Sequence, residues 1–438
     1  MNFMDAGAVK RLQEFFGRVG EILGNEVRRA SFATYAMGIL SDAERKSVEP
    51  LAAQACADPG RADAEHQRLL HFLADSKWND AAVRQESARY GLAGIISREP
   101  VQAWILDDTG FLKQGKHSVG VQRQYTGSAG KVTNCQIGVS LTVATRTEHL
   151  PIDFELYLPD SWANDPERRK EARIPDDIAF KTKPELGLQM VERALKAGVP
   201  KGVVLADAGY GSSKEFRREL HQLGFDYAVG VNSESKARLL GRDGIPFGKY
   251  HSLKKLAVQL DKAGSFRRCT WRQGTKGPLT ARFARRRIET LAGEKLTLLI
   301  EWRDQEPEPA NYFFISIPDP ISTNKLVRVV MQRWRIERTY QDLKGELGLD
   351  HYEGRRFPGW HHHISVVLCC YSFIIAERSR RFPPSARGSL AHSSHSLASA
   401  APLPGQLSNC PTCDLPNHRD MAPAVPGLPP DTAPAVTQ

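Results

Sequence analysis

The sequence has few cysteines and no long apolar run. Its seven cysteines are odd in number and scattered along 438 residues, which argues against the disulfide framework of a small secreted protein. The longest apolar segment, Ile364 to Ala376, is too short to span a bilayer. The first residues also show no basic leader followed by an apolar stretch. We therefore predict a protein of the reducing cytoplasm that is neither exported nor bound to a membrane.

Nucleotide-binding motifs are also lacking. No GxxxxGK[ST] pattern occurs, and GYGSS, at residues 209–213, lacks the spacing of a dinucleotide fingerprint. Lysine is absent from residues 381–438, which hold 11 of the 27 prolines, so this tail is predicted to be disordered. The tail carries a lone CxxC at Cys410 and Cys413 with His395 and His418 nearby, but a zinc site needs four ligands at compatible spacing, and none is predicted in a segment of disordered composition. Its abrupt change of composition favours a reading-frame change or a degenerate end.

Basic residues are in excess, and they cluster. Lys and Arg outnumber Asp and Glu by 60 to 50, a net charge of +10. Between Lys254 and Arg287 there are eleven Lys or Arg residues and one acid. An exposed basic hairpin would explain this segment, but phosphate neutralisation requires clustered cations, so a DNA-facing surface is the better interpretation.

Periodicity divides the chain into segments. Residues 1–95 read as a helical N-terminal domain, in which the segment RRASFATY could contact DNA or simply form a packed amphipathic helix. Residues 96–234 contain β-rich runs and then alternate strands with helices, which predicts an α/β fold with a mixed sheet. Residues 235–317 form a basic, β-rich insertion expected to make a separate small sheet. Residues 318–380 are predicted to return to the core with one helix from Leu326 to about Gly345 and a later apolar helix.

Three acidic positions occupy unusual places. AWILDDTG ends an apolar strand with Asp107 and Asp108, and VVLADAGYG ends another with Asp207. Such aspartates can cap helices or hold turns, but strand ends in α/β sheets are also where ligands and catalytic groups gather. Because side chains alternate along a strand, only one residue of the Asp107 and Asp108 pair should share a pocket with Asp207.

The helical segment QRWRIERTYQDLKGELG supplies a third carboxylate. Helical spacing puts Glu337 on one stripe with Val330, Arg333, Gln341 and Lys344. Two strand-end carboxylates with Glu337 would form an oxygen-rich site of the kind Mg²⁺ prefers. Cations on the same stripe suit phosphodiester chemistry, in which charge develops on the phosphate.

Together these motifs resemble DDE transposases of bacterial insertion sequences. The helix resembles their YREK signature through Arg333, Glu337 and Lys344, and LDDTG and LADAGYG resemble their two aspartate motifs in the correct order. Val330 stands where the signature has a tyrosine. Tyr340 is a candidate to supply the missing hydroxyl.

The resemblance implies an RNase H-like catalytic core with Asp108, Asp207 and Glu337 as the metal-binding triad, and Asp107 as the alternative first aspartate. It also implies two Mg²⁺ ions, for which Mn²⁺ can substitute, and an insertion that holds transposon-end DNA. The candidates for binding DNA phosphate are Arg333, Lys344, Arg335 and Tyr340. The candidates for stacking on a flipped base are Tyr312 and Trp302.

The predicted function is cut-and-paste transposition. The protein would bind the terminal inverted repeats of its element, cut DNA with metal-activated water, and join the freed 3′-OH to target DNA. Double-stranded DNA is the expected partner, with a homodimer in the synaptic complex and a cytoplasmic, nucleoid-associated location. The alternatives are a stand-alone metal-dependent DNA endonuclease and a catalytically silent DNA-binding regulator descended from a transposase.

Overall fold

The computed structural model describes residues 6–275 and 277–381, so the predictions for the Pro-rich tail and its CxxC lie outside the described residues. The first described segment is helical. Its helices are α1 (Ala6–Leu23), α2 (Glu26–Leu40), α3 (Val48–Ala55), α4 (Ala62–Ala74) and α5 (Asp80–Ile96), with a 3₁₀ turn at Pro59–Arg61 before α4.

A large mixed sheet follows. Its strands are β1 (Ala103–Leu112), β2 (Gln122–Thr126), β3 (Lys131–Ala144), β4 (His149–Tyr157), β5 (Val203–Ala206), β6 (Tyr227–Gly230), β7 (Lys236–Leu240), β8 (Pro246–Ser252), β9 (Arg267–Gly274), β10 (Gly277–Thr290), β11 (Lys295–Trp302) and β12 (Asn311–Ile315). The order β4-β3-β1-β5-β6 is antiparallel on the β3 side of β1 and parallel on the β5 side. This is an RNase H-like core, and the predicted fold class is confirmed.

The insertion extends this sheet instead of forming its own. Strand β12 pairs antiparallel with β6, for example Phe314 with Val229, and the order continues as β12-β11-β10-β7-β8, with β9 on β10. The expectation of a separate small sheet is wrong. The pairing joins strands more than 80 residues apart in sequence, which no local pattern reveals.

Helices cover both faces of the sheet. The later helices are α6 (Asp160–Ala163), α7 (Pro166–Ala172), α8 (Lys183–Lys196), α9 (Ala208–Gly211), α10 (Lys214–Gln222), α11 (Leu253–Lys262), α12 (Thr323–Val330), α13 (Trp334–Gly345) and α14 (Phe357–Arg381). Trp104 and Leu106 pack into a core shared with α1–α5, α8, α10 and α14, whereas Ile105 and Leu205 pack on the other face with α12 and Ile336 of α13. No helix within the described ranges is both long and apolar enough to span a membrane.

The segment carrying Glu337 is not one continuous helix. Helix α12 ends at Val330, a 3₁₀ turn covers Met331–Arg333, and α13 begins at Trp334. The expectation of a single helix from Leu326 is therefore wrong. The 3₁₀ turn rotates α13 relative to α12, so Val330 and Glu337 no longer lie on one helical face. Val330 is buried in the core, and Glu337 is exposed.

The segment RRASFATY lies in α2, where its contacts are structural. Arg29 donates from Nε to the carbonyl of Gly20 at 3.0 Å, and Arg28 donates to the carbonyl of Leu23 at 3.2 Å. Both arginines therefore satisfy carbonyls at the end of α1. Phe32 and Tyr35 are buried. These contacts favour a packed amphipathic helix.

Candidate active site

The two strand-end aspartates of β1 face opposite sides of the sheet. Side chains alternate along β1, so Asp107 faces the same side as Ile105, which packs against α12 and α13. Asp108 faces the same side as Leu106, on the opposite face of the sheet. The parallel register pairs Ile105 with Leu205. Two residues further on, it leads to Asp107 beside Asp207, and parallel neighbours in register point to the same face. Asp107 and Asp207 thus meet on the side of the sheet that carries Glu337.

Asp207 ends β5 and caps the short helix α9. Its Oδ1 accepts a hydrogen bond from the backbone N–H of Gly209 at 2.9 Å. The turn that follows packs tightly on β6, since a Cβ at Gly211 would lie 2.2 Å from the carbonyl oxygen of Gly230. Gly211, the second glycine of GYG, is therefore required for this close approach. The approach holds Asp207 at the strand end.

Asp107 lies in a half-buried, strongly charged environment. Its Oδ2 accepts a hydrogen bond from Nη1 of Arg333 at 2.7 Å. Burial raises the pKa of the Asp107 carboxyl to about 7; Arg333 opposes this shift, and the neighbouring charges of Asp207 and Asp108 add to it. A carboxyl so poised among others is a common property of catalytic sites.

Asp108 has a different partner on the opposite face. Its Oδ2 accepts a hydrogen bond from Nζ of Lys183 at 3.0 Å. Lys183 is the first residue of α8, whose N-terminus is fixed by a capping box between Thr182 and Glu185. Burial raises the pKa of Asp108 as well, with Lys183 opposing the shift.

Arg333 is the common neighbour of all three carboxylates on the α13 side. Burial opposes its charge, but the carboxylates of Asp107, Asp207 and Glu337 outweigh burial and raise the pKa of Arg333. Its position in the 3₁₀ turn, four residues before Glu337, brings it between the sheet edge and the exposed face of α13. Among the predicted carboxylates, Arg333 contacts the alternative first aspartate, Asp107, and not Asp108, which pairs with Lys183.

Two further predicted residues line this side of β1. The hydroxyl of Tyr340 lies 2.7 Å from Oγ of Ser140, which is the β3 partner of Asp107. Lys344 donates from Nζ to the carbonyl of Gly110 at 2.6 Å and to Oγ of Ser128 at 3.2 Å. Tyr340 and Lys344 therefore extend the site along the end of β1.

Three of the predicted contact residues lie elsewhere. Arg335 is buried and donates to the backbone carbonyls of Arg146 and Thr147, so its guanidinium is committed to the β3–β4 turn rather than to phosphate. Tyr312 is buried inside the sheet core, which is not a position where it could stack on a base. Trp302 is half-buried, with Phe266 edge-on at 5.5 Å and Arg282 over its ring.

Arg272, on strand β9 of the insertion, is a candidate site residue that sequence reasoning missed. Its guanidinium carbon lies 3.7 Å from the ring centroid of Trp334, and its Nε and Nη1 are buried with no acceptor among the described residues. Burial lowers the pKa of Arg272, and the charge of Glu337 opposes that shift. A β-bulge leaves Trp271 without a β10 partner, and bulges commonly re-aim side chains beside active sites. The eleven-cation cluster was the available signal, but it did not single out this member.

The donor set has the chemistry of a divalent-metal site. Carboxylate oxygens are the ligands that Mg²⁺ prefers. Burial is the main cause of the raised pKa of Asp107, and the neighbouring carboxylates of Asp207 and Asp108 add to it. In residues 6–275 and 277–381, however, no three His, Cys, Asp or Glu side chains lie close enough together to hold a metal ion. The Asp107 carboxylate is instead paired with the guanidinium of Arg333.

Comparison with known proteins identifies the family. A family model described as DDE superfamily endonuclease matches residues 18–278, a range that contains Asp107, Asp108 and Asp207 and ends before α13. The chain is also similar to a probable transposase for insertion sequence element IS701 from Microchaete diplosiphon. The two are 27% identical over 353 residues, which cover 79% of this chain and 82% of the relative. Enzymes of this family act on DNA with divalent metal ions. The chain belongs to the DDE superfamily endonucleases.

Proposed function

We propose that this protein is the transposase of an insertion sequence, which binds the terminal inverted repeats of its element, cleaves DNA strands there and joins them to target DNA. The observation that carries the proposal is Arg333, a phosphate-type cation that contacts Asp107 and is charge-coupled to Asp207 and Glu337. The similarity to the IS701 protein supports the same conclusion.

We assign the metal-binding carboxylates to Asp107, Asp207 and Glu337, and keep Asp108 as the alternative first member. Asp107 is preferred because it shares a sheet face with Asp207 and α13, whereas Asp108 faces α8 and pairs with Lys183. These three side chains would hold two Mg²⁺ ions, or Mn²⁺ in their place. When bound, the ions would activate the attacking oxygen and stabilise the leaving oxygen of an in-line displacement.

The cations of the site would bind the DNA backbone. Arg333 can offer a planar pair of N–H groups to phosphate oxygens, and Lys344 adds a point charge at the end of β1. Arg272 brings a third cation from the insertion to the Glu337 side. The Tyr340 hydroxyl, which lies against Ser140, would make the phosphate hydrogen bond of the signature tyrosine. Val330 stands at the position of that tyrosine in this chain.

One site can serve cleavage and joining, because both are in-line phosphoryl transfers that differ only in whether water or a DNA 3′-OH attacks. The substrate is double-stranded DNA, first at the element ends and then at the target. Two ends must be joined in concert, so we expect a homodimer in the synaptic complex.

The proposal is tested with the purified full-length chain, DNA carrying the inverted repeats, and Mg²⁺. Wild type should cut at the element ends and give strand-transfer products, whereas Glu337→Gln should bind the same DNA without cutting it. Glu192→Gln, an exposed change on the opposite sheet face, is the matched control and should remain active. Cleavage without joining would indicate a stand-alone endonuclease, and binding without cleavage by wild type would indicate a silent regulator.

A further inference from the structure

The hairpin formed by β2 and β3, together with the loop before it, carries a second basic surface. Residues 109–147 contain five Lys or Arg and no Asp or Glu. Three of these cations, Lys116, Arg123 and Lys131, are exposed, and within residues 6–275 and 277–381 none of the three pairs with a carboxylate. Clustered cations without acidic partners suit the phosphates of a nucleic acid.

The other charged groups of this segment already have partners. Lys113 donates from Nζ to a backbone carbonyl at 2.5 Å, and Arg146 pairs with Glu99 at 2.9 Å. Nδ1 of His117 lies 3.7 Å from a carboxylate oxygen of Glu171. The uncompensated charge of the segment is therefore that of the three exposed cations.

The same hairpin exposes an aromatic ring. Tyr125 and Val132 are cross-strand partners, with 63% and 54% of their surfaces accessible. Contact between such partners stabilises a hairpin, yet more than half of each residue stays open to solvent. Arg123 lies two residues before Tyr125, so the two side chains share one face of the strand. Exposed rings among cations are used by proteins that bind nucleic acid through both phosphates and bases.

The tip of the hairpin is held against the end of β1. Oγ of Ser128 lies 3.3 Å from both the backbone N and O of Gly110, and Nζ of Lys344 donates to it at 3.2 Å. A Cβ at Gly110 would overlap Oγ1 of the buried Thr126, so only glycine lets the hairpin close on β1. Gly110 is three residues after Asp107, which is about 10 Å along an extended strand.

The hairpin and the insertion lie on opposite sides of the carboxylates. In the sheet order β2-β3-β1-β5-β6-β12, the strands that carry Asp107 and Asp207 stand between them. An enzyme that joins DNA must place two duplexes at one site, the element end and the target. The insertion, whose Arg272 reaches α13, is assigned to the element end. The hairpin is therefore placed to hold the second duplex.

Resting on the proposed function, we propose that the β2–β3 hairpin and the loop before it bind the target DNA. Lys116, Arg123 and Lys131 contact phosphates of this duplex, and the ring of Tyr125 lies against the bases or sugars between them. Phosphate contacts carry no sequence information, so the surface accepts many target sequences. Its role is to present the target phosphodiester to the 3′-OH held at the carboxylate site.

The test separates cleavage of the element end from joining to the target. End DNA is supplied either uncut or already cut with a free 3′-OH, and joining of the cut end to a labelled target duplex is followed with Mg²⁺ at increasing target concentration. The double variant Arg123→Gln, Lys131→Gln should cleave uncut ends at the wild-type rate but need about tenfold more target for half-maximal joining.

Binding without metal gives a second measurement. Capture of target DNA by protein already bound to cut end DNA should weaken in the double variant, and the slope of log affinity against log salt should fall by about 1.8, because two phosphate contacts are lost. Tyr125→Ala should also weaken capture, whereas Tyr125→Phe keeps the ring and should retain it.

A control with the same charge change is available on α10. The double variant Lys214→Gln, Arg218→Gln removes two exposed cations there and should capture and join target DNA as wild type does. The inference is overturned if the hairpin variants capture and join target DNA normally. It is also overturned if they lose end cleavage as much as joining, which would assign the hairpin to element-end or flanking DNA. A wild type that neither cleaves nor joins would overturn the proposed function, and this inference with it.

Discussion

Arg333 of the 3₁₀ turn and Asp107 of β1 form an ion pair, with Nη1 of the arginine 2.7 Å from Oδ2 of the aspartate. The pair joins the strand that supplies the first proposed metal ligand to the segment that supplies the first proposed phosphate contact. In the absence of DNA, each group compensates the charge of the other. Binding of phosphate to Arg333 would therefore free Asp107 for a metal ion.

The first prediction separates the two aspartates of β1. Asp107→Asn should lower the cleavage rate by more than about a thousandfold, as loss of an essential catalytic group does. Asp108→Asn should cost about tenfold or less, because Asp108 faces α8 and pairs with Lys183 instead of sharing a sheet face with Asp207. Single-turnover cleavage of end DNA measures both. The reverse order of effects would assign the first carboxylate to Asp108.

The second prediction concerns the shape of the Arg333 side chain. Arg333→Lys retains the charge but loses the planar pair of donors that can contact carboxylate and phosphate together. We expect cleavage to fall on the order of a hundredfold while the affinity for end DNA changes little. Arg338→Lys is the control, since Arg338 pairs with Asp342 away from the site. Equal losses of affinity and cleavage in Arg333→Lys would contradict the proposed role.

The third prediction concerns the stack of Arg272 on Trp334. Arg272→Lys should lower the cleavage rate without changing the melting temperature, because the charge stays but the flat guanidinium contact at 3.7 Å is lost. Arg282→Lys is matched to it, as Arg282 lies over Trp302 in the same insertion, and should cleave normally. Equal losses of cleavage in both variants would contradict a specific role for the Arg272–Trp334 contact and would indicate a general effect of changing the insertion.

The fourth prediction is a pH dependence of stability. Burial lowers the pKa of His363, in α14, to about 4, and its Nδ1 contacts the Tyr35 hydroxyl at 2.9 Å. Below the unfolded pKa of about 6.5, the unfolded chain takes up a proton that the native ring does not. Stability is therefore fully present above about pH 6.5 and is lost as the pH falls towards 4, by on the order of 1 kcal/mol per pH unit.

Denaturant unfolding between pH 4 and 8 measures this effect. His363→Gln should show a shallower loss on the acid side, although a slope should remain because burial also lowers the pKa of His362 to about 4. His117→Gln, at an exposed ring, should keep the wild-type profile. An unchanged profile in His363→Gln would exclude His363 as the source.

The fifth prediction concerns the turn that holds Asp207. Gly211→Ala would place a Cβ 2.2 Å from the Gly230 carbonyl oxygen and 2.6 Å from Cβ of Val229, which are rigid neighbours. We expect a loss of about 1–3 kcal/mol in the free energy of unfolding, together with reduced cleavage because the turn carries Asp207. Gly115→Ala, with no atom within 4 Å of the new Cβ, should be neutral.

Local patterns predicted the strands that lead to Asp107 and Asp207, but they merged α12, the 3₁₀ turn and α13 into one helix. Strand alternation also showed that only one of Asp107 and Asp108 could face Asp207. The choice between them could not be made from the sequence, because helices cover both faces of the sheet with apolar side chains. Only the packing of α13 on the Ile105 side distinguishes the two faces.

Two residues predicted to contact DNA, Arg335 and Tyr312, lie away from the site for physical reasons. Arg335 was predicted on the DNA side, but the helix that carries it begins after a 3₁₀ turn, and its side chain reaches the carbonyl of Thr147. Tyr312 lies on a strand that pairs with β6, far away in sequence. Helix phase and long-range pairing depend on tertiary contacts, which periodicity does not encode.

The continuous pairing from β1 to β10 has a mechanical consequence. Strand β12 is hydrogen-bonded to β6 on one side and to β11 on the other, so no flexible linker separates the insertion from the carboxylates. The spacing between the insertion and Asp107 is therefore set by strand pairing. Under the proposed function, DNA bound by the insertion would therefore lie at a fixed distance from the carboxylates.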